Sequence, residues 1–352
     1  MILPAVATIS LGRAIAGHDL IQKLHEASSK GFKGVEVFWE CLESYAAKTH
    51  ATTSTPSRQD IINAAIVVQH TCHKLDLKVV CLMPLLSYEG LVDQQQRQQR
   101  VEDLKFWFKI GQTLNTDLVQ IASNFQTEGT TGDIGCIVAD LRLAAELAAK
   151  QSPPMRIAYE AVSWGTHIDT WEQAWDVVTR VNLPNIGLCL DTFHIAGRVW
   201  ADPASKSGLN PNADYELEKS LNKLVREVPP GKIYYVQLSD AERLGSPLVR
   251  GHTLFQETMK PRMAWSRNAR LFPFETERKA YLPIWRICHA IFVEMKWEGW
   301  ASAEIFNQTT FGTGQEVVRE HATRAWQSWD KLSEKLRSVS VQSPDRMSMT
   351  KI

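Results

Sequence analysis

Arg156-Ile-Ala-Tyr-Glu160, Trp171-Glu-Gln-Ala-Trp-Asp-Val-Val-Thr-Arg-Val181 and Ile186-Gly-Leu-Cys-Leu-Asp191 follow one another in the chain, and their succession decides the fold. The outer two are short apolar runs that stop on an acid, and the middle one has helical spacing. Strand, helix, strand in that order is the unit of a parallel β/α architecture, whose strands are buried on both faces and read as nearly continuous apolar runs. The alternation extends in both directions. Eight runs are counted, near residues 5–9, 34–38, 78–83, 117–122, 156–159, 186–190, 233–237 and 300–305. Helical candidates between or after them include 98–114, 133–150, 171–181, 215–228 and 316–336. Eight such units in order favour an α/β fold closed as a (β/α)8 TIM barrel over an open doubly wound sheet. No GxGxxG follows the first strand, which argues against dinucleotide binding.

Two stretches break the rhythm. Residues 239–280, after the seventh strand, form a long loop rich in Gly, Pro, Arg and aromatics, and a connection of that length is expected to be functional. From Ser338 onward no buried face can be drawn, so the reading is one catalytic barrel domain over 1–337 and a flexible tail over 338–352.

The composition of the 352-residue chain, 44% hydrophobic and 22% charged, is that of a globular protein. Lys+Arg and Asp+Glu balance at 39 each, which removes the broad field that nucleic-acid and anionic-membrane binders use while leaving room for a local basic pocket. The expected partner is therefore a small molecule, with neither nucleic acid nor membrane, and the oligomeric state stays open. The six cysteines form no CxxC pair, and the N-terminus shows no basic segment leading into an apolar one. A reducing, cytoplasmic setting is expected.

Side chains at the C-terminal ends of barrel strands converge on one mouth. Glu160, Asp191, Gln237 and Glu304 end the fifth to eighth runs. Three carboxylates and an amide oxygen drawn together need a cation, and an all-oxygen set suits one divalent ion, Mg²⁺ or Mn²⁺, with Co²⁺ also acceptable. The plainer alternative, that each merely starts a loop, has to hold four times over. His194 follows Asp191 by three residues, and an imidazole with a pKa of about 6.5 suits acid/base work. His167 is its competitor, and His252 in the long loop is weaker. The loop also holds Met263-Ala-Trp-Ser-Arg-Asn-Ala-Arg-Leu-Phe-Pro273, whose arginines either grip a carboxylate in two-pronged fashion or form a solvated basic turn. Glu36 either orients substrate or forms a buried ion pair, and Arg97 and Arg100 read as surface charges.

Six motifs together carry a resemblance: Ala7-Thr-Ile-Ser-Leu-Gly12, Gly34-Val-Glu-Val-Phe38, Tyr159-Glu-Ala-Val-Ser-Trp-Gly165, Cys189-Leu-Asp-Thr-Phe-His-Ile-Ala-Gly-Arg198, Trp265-Ser-Arg-Asn-Ala-Arg-Leu-Phe272 and Glu304-Ile-Phe-Asn307. The chain resembles the fungal and bacterial 3-dehydroshikimate dehydratases of the xylose-isomerase-like barrel superfamily. The resemblance implies a metal-dependent hydro-lyase that turns 3-dehydroshikimate into protocatechuate in quinate or shikimate breakdown. It implies metal ligation by Glu160, Asp191, Gln237 and Glu304, His194 near the reacting carbons, and Ser266 and Arg270 on the substrate carboxylate. Some relatives carry a basic residue after the third strand, where this chain reads Ser87-Tyr-Glu-Gly-Leu-Val-Asp93, and Arg97 or Arg100 would have to replace it. Dehydration is redox-neutral, so no NAD, flavin or PLP is expected. A sugar or hydroxy-acid isomerase or epimerase of the same superfamily is the alternative, since it would use the same fold and metal. A repair endonuclease would want more histidine ligands and a basic face.

Overall fold

The computed structural model describes residues 1–49 and 55–341. Its strands are β1 (Ile2–Ala7), β2 (Gly34–Phe38), β3 (Lys78–Leu85), β4 (Leu118–Ala122), β5 (Arg156–Glu160), β6 (Ile186–Asp191), β7 (Ile233–Leu238), β8 (Asp240–Ala241), β9 (Arg270–Leu271) and β10 (Gly299–Ala303). Eight of them close in the order β1-β10-β7-β6-β5-β4-β3-β2, and each neighbouring pair is parallel. The expected (β/α)8 barrel is the architecture observed.

Two apolar layers follow from the period of two along each strand. Ile157, Tyr159, Leu188 and Val236 face outward into the main core beneath the helices, while Ala158, Cys189 and Tyr235 join Ala5, Val80, Cys81, Met83 and Leu118 inside the barrel. Continuing the inward set by two residues brings β5 to Glu160, β6 to Asp191 and β7 to Gln237, so the pleat that buries the interior also aims these polar groups at the mouth.

The first expected run, 5–9, is displaced: β1 ends at Ala7 and Thr8–Leu11 winds into a 3-10 turn. The buried hydroxyls there bond to backbone amides of neighbouring strand ends, Thr8 Oγ1 accepting from Phe38 N at 3.0 Å and Ser10 Oγ from Ile305 N at 2.8 Å. Those bonds hold the segment across the top of the barrel rather than along its wall.

The long loop after β7 contains β8, a helix at Pro261–Ala269 and β9. Antiparallel pairing sets Ala241 opposite Arg270, and Arg270 N also donates to Phe306 O at 3.0 Å. Arg270 is thereby pinned over the mouth by its backbone.

The last helix, Val317–Val341, runs further than the expected 316–336, so the tail does not begin at Ser338; residues 342–352 lie outside those described. A buried cluster fastens this helix to the loop. Arg324 Nε and Nη2 donate to Glu275 Oε1 at 2.7 Å and Oε2 at 3.0 Å, and Glu275 Oε2 also accepts from Phe272 N at 3.0 Å. Beside them His321 Nδ1 meets Val317 O at 2.8 Å, while Nε2 faces Thr309 Oγ1 at 3.0 Å and Arg324 Nη1 at 3.2 Å. No helix among the described residues is long and apolar enough to cross a membrane.

Candidate active site

Each acid of the mouth is placed by the end of its strand. Asp191 closes β6 and at once caps the helix Thr192–Val199, its Oδ1 accepting from Phe193 N at 2.7 Å. An Asp at that position is the usual N-cap, and the short helix it starts carries His194 back over the barrel. Glu160 closes β5, with Oε2 accepting from Gln120 Nε2 at 2.9 Å. Glu304 follows β10. All three carboxylates and His194 are buried.

Glu160, Asp191 and His194 each offer a donor atom within 4.8 Å of the others, a group able to hold a metal ion. His194 Nε2 lies 3.6 Å from Asp191 Oδ2 and 3.8 Å from Glu160 Oε1. Arg270 lies among the same groups. Its Nη1 is 2.6 Å from Asp191 Oδ2, 2.9 Å from Glu304 Oε2 and 3.2 Å from Ser239 Oγ; Nε donates to Ser266 Oγ at 2.8 Å. Nη2 is 2.9 Å from His194 Nε2. On the other side of the ring Ser163 N donates to Nδ1 at 3.0 Å and Ser163 Oγ lies 3.2 Å away, so both ring nitrogens face N–H donors and the contacts favour neither tautomer.

The electrostatics are unbalanced. Burial first, then the negative Asp191 and Glu304, raise Glu160 well above the usual carboxylate range; burial also raises Glu304 and Asp191 against the opposing pull of Arg270. Glu36 is pushed up to about 7, chiefly by burial. Burial and then the Arg270 charge hold His194 well below its ordinary value, so the ring is uncharged at neutral pH. Two carboxylates under 5 Å apart repel by about 3–4 kcal/mol at an effective dielectric near 20. One arginine cannot offset four such acids. Glu160 Oε1, Glu36 Oε1 and Gln120 Oε1 have no hydrogen-bond partner. An oxygen-rich set with an excess of negative charge and unpartnered oxygens is what a hard divalent cation fits.

A chamber of about 350 Å³ opens above this floor. Phe38, Phe125, Phe306, Met83, Val162 and Trp164 supply its apolar walls, and Ser266, Arg13, Arg267 and Arg270 also line it. A cavity of about 480 Å³ lies at the opposite end, around Leu3, Lys33, Lys78 and Trp300, at the strand starts and away from the acids.

The structure thus brings Glu160, Asp191, His194, Glu304, Ser266 and Arg270 together. Gln237 is close but turned away, Nε2 donating to Glu36 Oε2 at 2.9 Å and Oε1 accepting from Cys189 Sγ at 3.2 Å. Glu36, for which a substrate contact or an ion pair was expected, is instead the fully buried partner of Gln237 and does not line the chamber. His167 stays outside the chamber, its Nε2 bonded to Thr130 Oγ1 at 3.1 Å on a neighbouring loop. Arg270, expected to point at a substrate carboxylate, is turned inward because the buried acids attract it more strongly than an open cavity. Arg97 pairs with Asp140 and Arg100 with Asp103, so neither reaches the chamber. His252 accepts from Leu254 N within the long loop.

Sequence reasoning missed Gln120, Arg13, Trp164 and Arg267 as individual site residues. Gln120 had left a signal, being the single polar residue within the strand Leu-Val-Gln-Ile-Ala of β4. The others had none beyond their neighbours.

The family described as xylose isomerase-like TIM barrel matches residues 24–328. A Neurospora crassa protein named 3-dehydroshikimate dehydratase is 42% identical over 346 residues, 97% of this chain and 96% of that protein. A Pseudomonas putida protein of the same name is 29% identical over 273 residues, 78% of this chain but 34% of its own length, so the chain spans about a third of that relative. Among solved structures, a xylose isomerase-like TIM barrel/4-hydroxyphenylpyruvate dioxygenase fusion protein superposes with a TM-score of 0.71 at 27% identity, over 99% of this chain and 45% of that one.

Proposed function

The chain belongs to the xylose isomerase-like TIM barrel family, and from that premise we propose that it is a 3-dehydroshikimate dehydratase, a hydro-lyase releasing protocatechuate and water with the help of one divalent metal ion. The observation that carries this reading is the full-length similarity to the Neurospora crassa enzyme. The acidic floor of the chamber is its physical counterpart. Residues 1–337 would act as a single catalytic barrel, and the substrate would be a small carboxylate.

Glu160, Asp191 and Glu304 would hold Mg²⁺, Mn²⁺ or Co²⁺, with Gln237 as fourth ligand once its Oε1 turns from the Cys189 thiol; the excess negative charge and the unpartnered Glu160 Oε1 support that assignment. When bound, such an ion supplies Lewis acidity for a ketone oxygen that gains negative charge as the neighbouring carbon loses its proton.

The remaining work falls to the side chains. With its proton on Nδ1, where Ser163 Oγ at 3.2 Å can accept it, His194 turns the Nε2 lone pair to the substrate and takes the proton from the carbon next to the ketone. Burial keeps this imidazole neutral beforehand, and the surrounding carboxylates stabilise the cation it becomes. The hydroxyl one carbon further on leaves with a proton returned from His194, so one water is lost. The ring then shifts a proton to become aromatic, which makes the overall step irreversible. Phe38, Phe306 and Trp164 exclude bulk water around a flat ring.

The test is ultraviolet detection of protocatechuate from 3-dehydroshikimate with and without a chelator. Product that disappears on chelation and returns with Mg²⁺, Mn²⁺ or Co²⁺ is expected; no product under metal-replete conditions overturns the reading.

A further inference from the structure

We propose that Arg267 receives the substrate carboxylate and thereby fixes which edge of the ring meets the acidic floor, an inference that rests on the dehydratase reading above. Three cations line the chamber, Arg13, Arg267 and Arg270. Two are committed. Arg13 spends its fork on Glu40, Nε to Oε1 at 3.0 Å and Nη2 to Oε2 at 2.5 Å. Arg270 is held by Asp191, Glu304, His194 and Ser266. Arg267 alone of the three has no hydrogen-bonded or ion-paired partner among the described residues, and its guanidinium lies over the Phe125 ring, 6.0 Å from the centroid.

Arg267 is exposed at the chamber wall, so its fork is hydrated and uncommitted, ready to pair with an anion that enters. Burial, and then the neighbouring charge of Arg13, hold its proton affinity below the usual value, which a bound anion would reverse. Trp164 also packs against Phe125, ring centroids 6.5 Å apart, and its indole Nε1–H is a buried donor without an acceptor. On this wall Trp164 Nε1 is thus a donor without an acceptor, while on the floor Glu160 Oε1 is an acceptor without a donor.

A molecule entering this chamber meets two opposite poles. A carboxylate is repelled by Glu160, Asp191 and Glu304 and drawn to Arg267, whose planar fork matches it in two-pronged fashion. In 3-dehydroshikimate the carboxylate lies across the ring from the ketone and its neighbouring hydroxyl, so anchoring one end at Arg267 delivers the other to the floor and to His194. Arg267 is a specificity residue by this account.

The experiment compares two competitive ligands that share a catechol ring, 3,4-dihydroxybenzoate and its uncharged amide, on the metal-replete enzyme. The wild type is expected to bind the carboxylate about 30-fold more tightly than the amide, and Arg267→Met to lose that preference while KM for 3-dehydroshikimate rises by a similar factor. Arg267→Lys restores part of both. Arg270→Met is expected to keep the preference even as turnover falls. An undiminished preference in Arg267→Met, or its loss in Arg270→Met with Arg267→Met unaffected, overturns the proposal while leaving the dehydratase reading intact. Absence of dehydration by the wild type itself would overturn both.

Discussion

Two buried clusters in this barrel are each built on an arginine, and they are solved differently. Around Arg324 every polar group has a partner: Glu275 accepts from Arg324 and from a backbone amide, and His321 both donates and accepts. Around Arg270 four acids crowd one cation, Glu160 and Glu36 keep an oxygen without a partner, and the carboxylates are pushed out of their ordinary range. Burial is equally deep in both places. A satisfied cluster fastens an element, whereas a cluster left with excess charge and free donors and acceptors is kept ready for an ion or a substrate.

Neutralising one acid at the mouth should break the comparison most sharply. Glu160→Gln is expected to lower kcat/KM on the order of 10³-fold, while its denaturation midpoint stays at or above that of the wild type, because a repulsive charge has been removed. Loss of stability in step with activity would show that Glu160 is structural instead. In the other cluster the prediction is reversed. Arg324→Met leaves Glu275 buried without its cation and should cost about 3–4 kcal/mol of unfolding free energy by denaturant titration, with kcat of the folded fraction unchanged within about twofold. A large fall in kcat would mean that the two clusters communicate.

A metal should stabilise only one of them. Saturating Mg²⁺ or Mn²⁺ at about 100 times its Kd adds about 2.7 kcal/mol, read as a rise in thermal midpoint over the chelated protein, and Glu160→Gln should show little of it. An equal rise in that variant would place the ion elsewhere. The smallest effect concerns His321, whose pKa is pushed down to about 4, first by burial and then by Arg324. Its unfolded pKa is about 6.5, so the unfolded chain binds the proton first. The stabilisation is complete above pH 6.5 and is lost as pH falls toward 4, about 2 kcal/mol of it between pH 6.5 and 5. Buried Glu89 and Asp240, raised to about 7, act in the opposite sense over this range. Only the difference between wild type and His321→Gln isolates the histidine, and parallel pH profiles would refute the assignment.

The satisfied cluster left no trace in the sequence, because Glu275 and Arg324 are far apart in the chain and each looks like a surface charge on its own element. The acids of the mouth were legible for the opposite reason. Each ends a buried strand, and an acid that terminates an apolar run has few plain explanations. Gln237 was legible as a strand end, but its amide orientation was not, since Glu36 and Cys189 reach it from other strands.

By itself the sequence determined the barrel, through the alternation of apolar runs with helical spacing, and the ring of acids, through the strand period that continues the buried face to the mouth. It also named the stretch Trp265-Ser-Arg-Asn-Ala-Arg-Leu-Phe272 as part of the site. It could not rank the two arginines within that stretch, which spacing treats alike. Tertiary structure sets them apart: β8 and β9 pin the backbone of Arg270 over Asp191, Glu304 and Glu160, whose field draws its side chain inward, while Arg267, one residue from Ser266, is left on the wall with an aromatic ring and no anion.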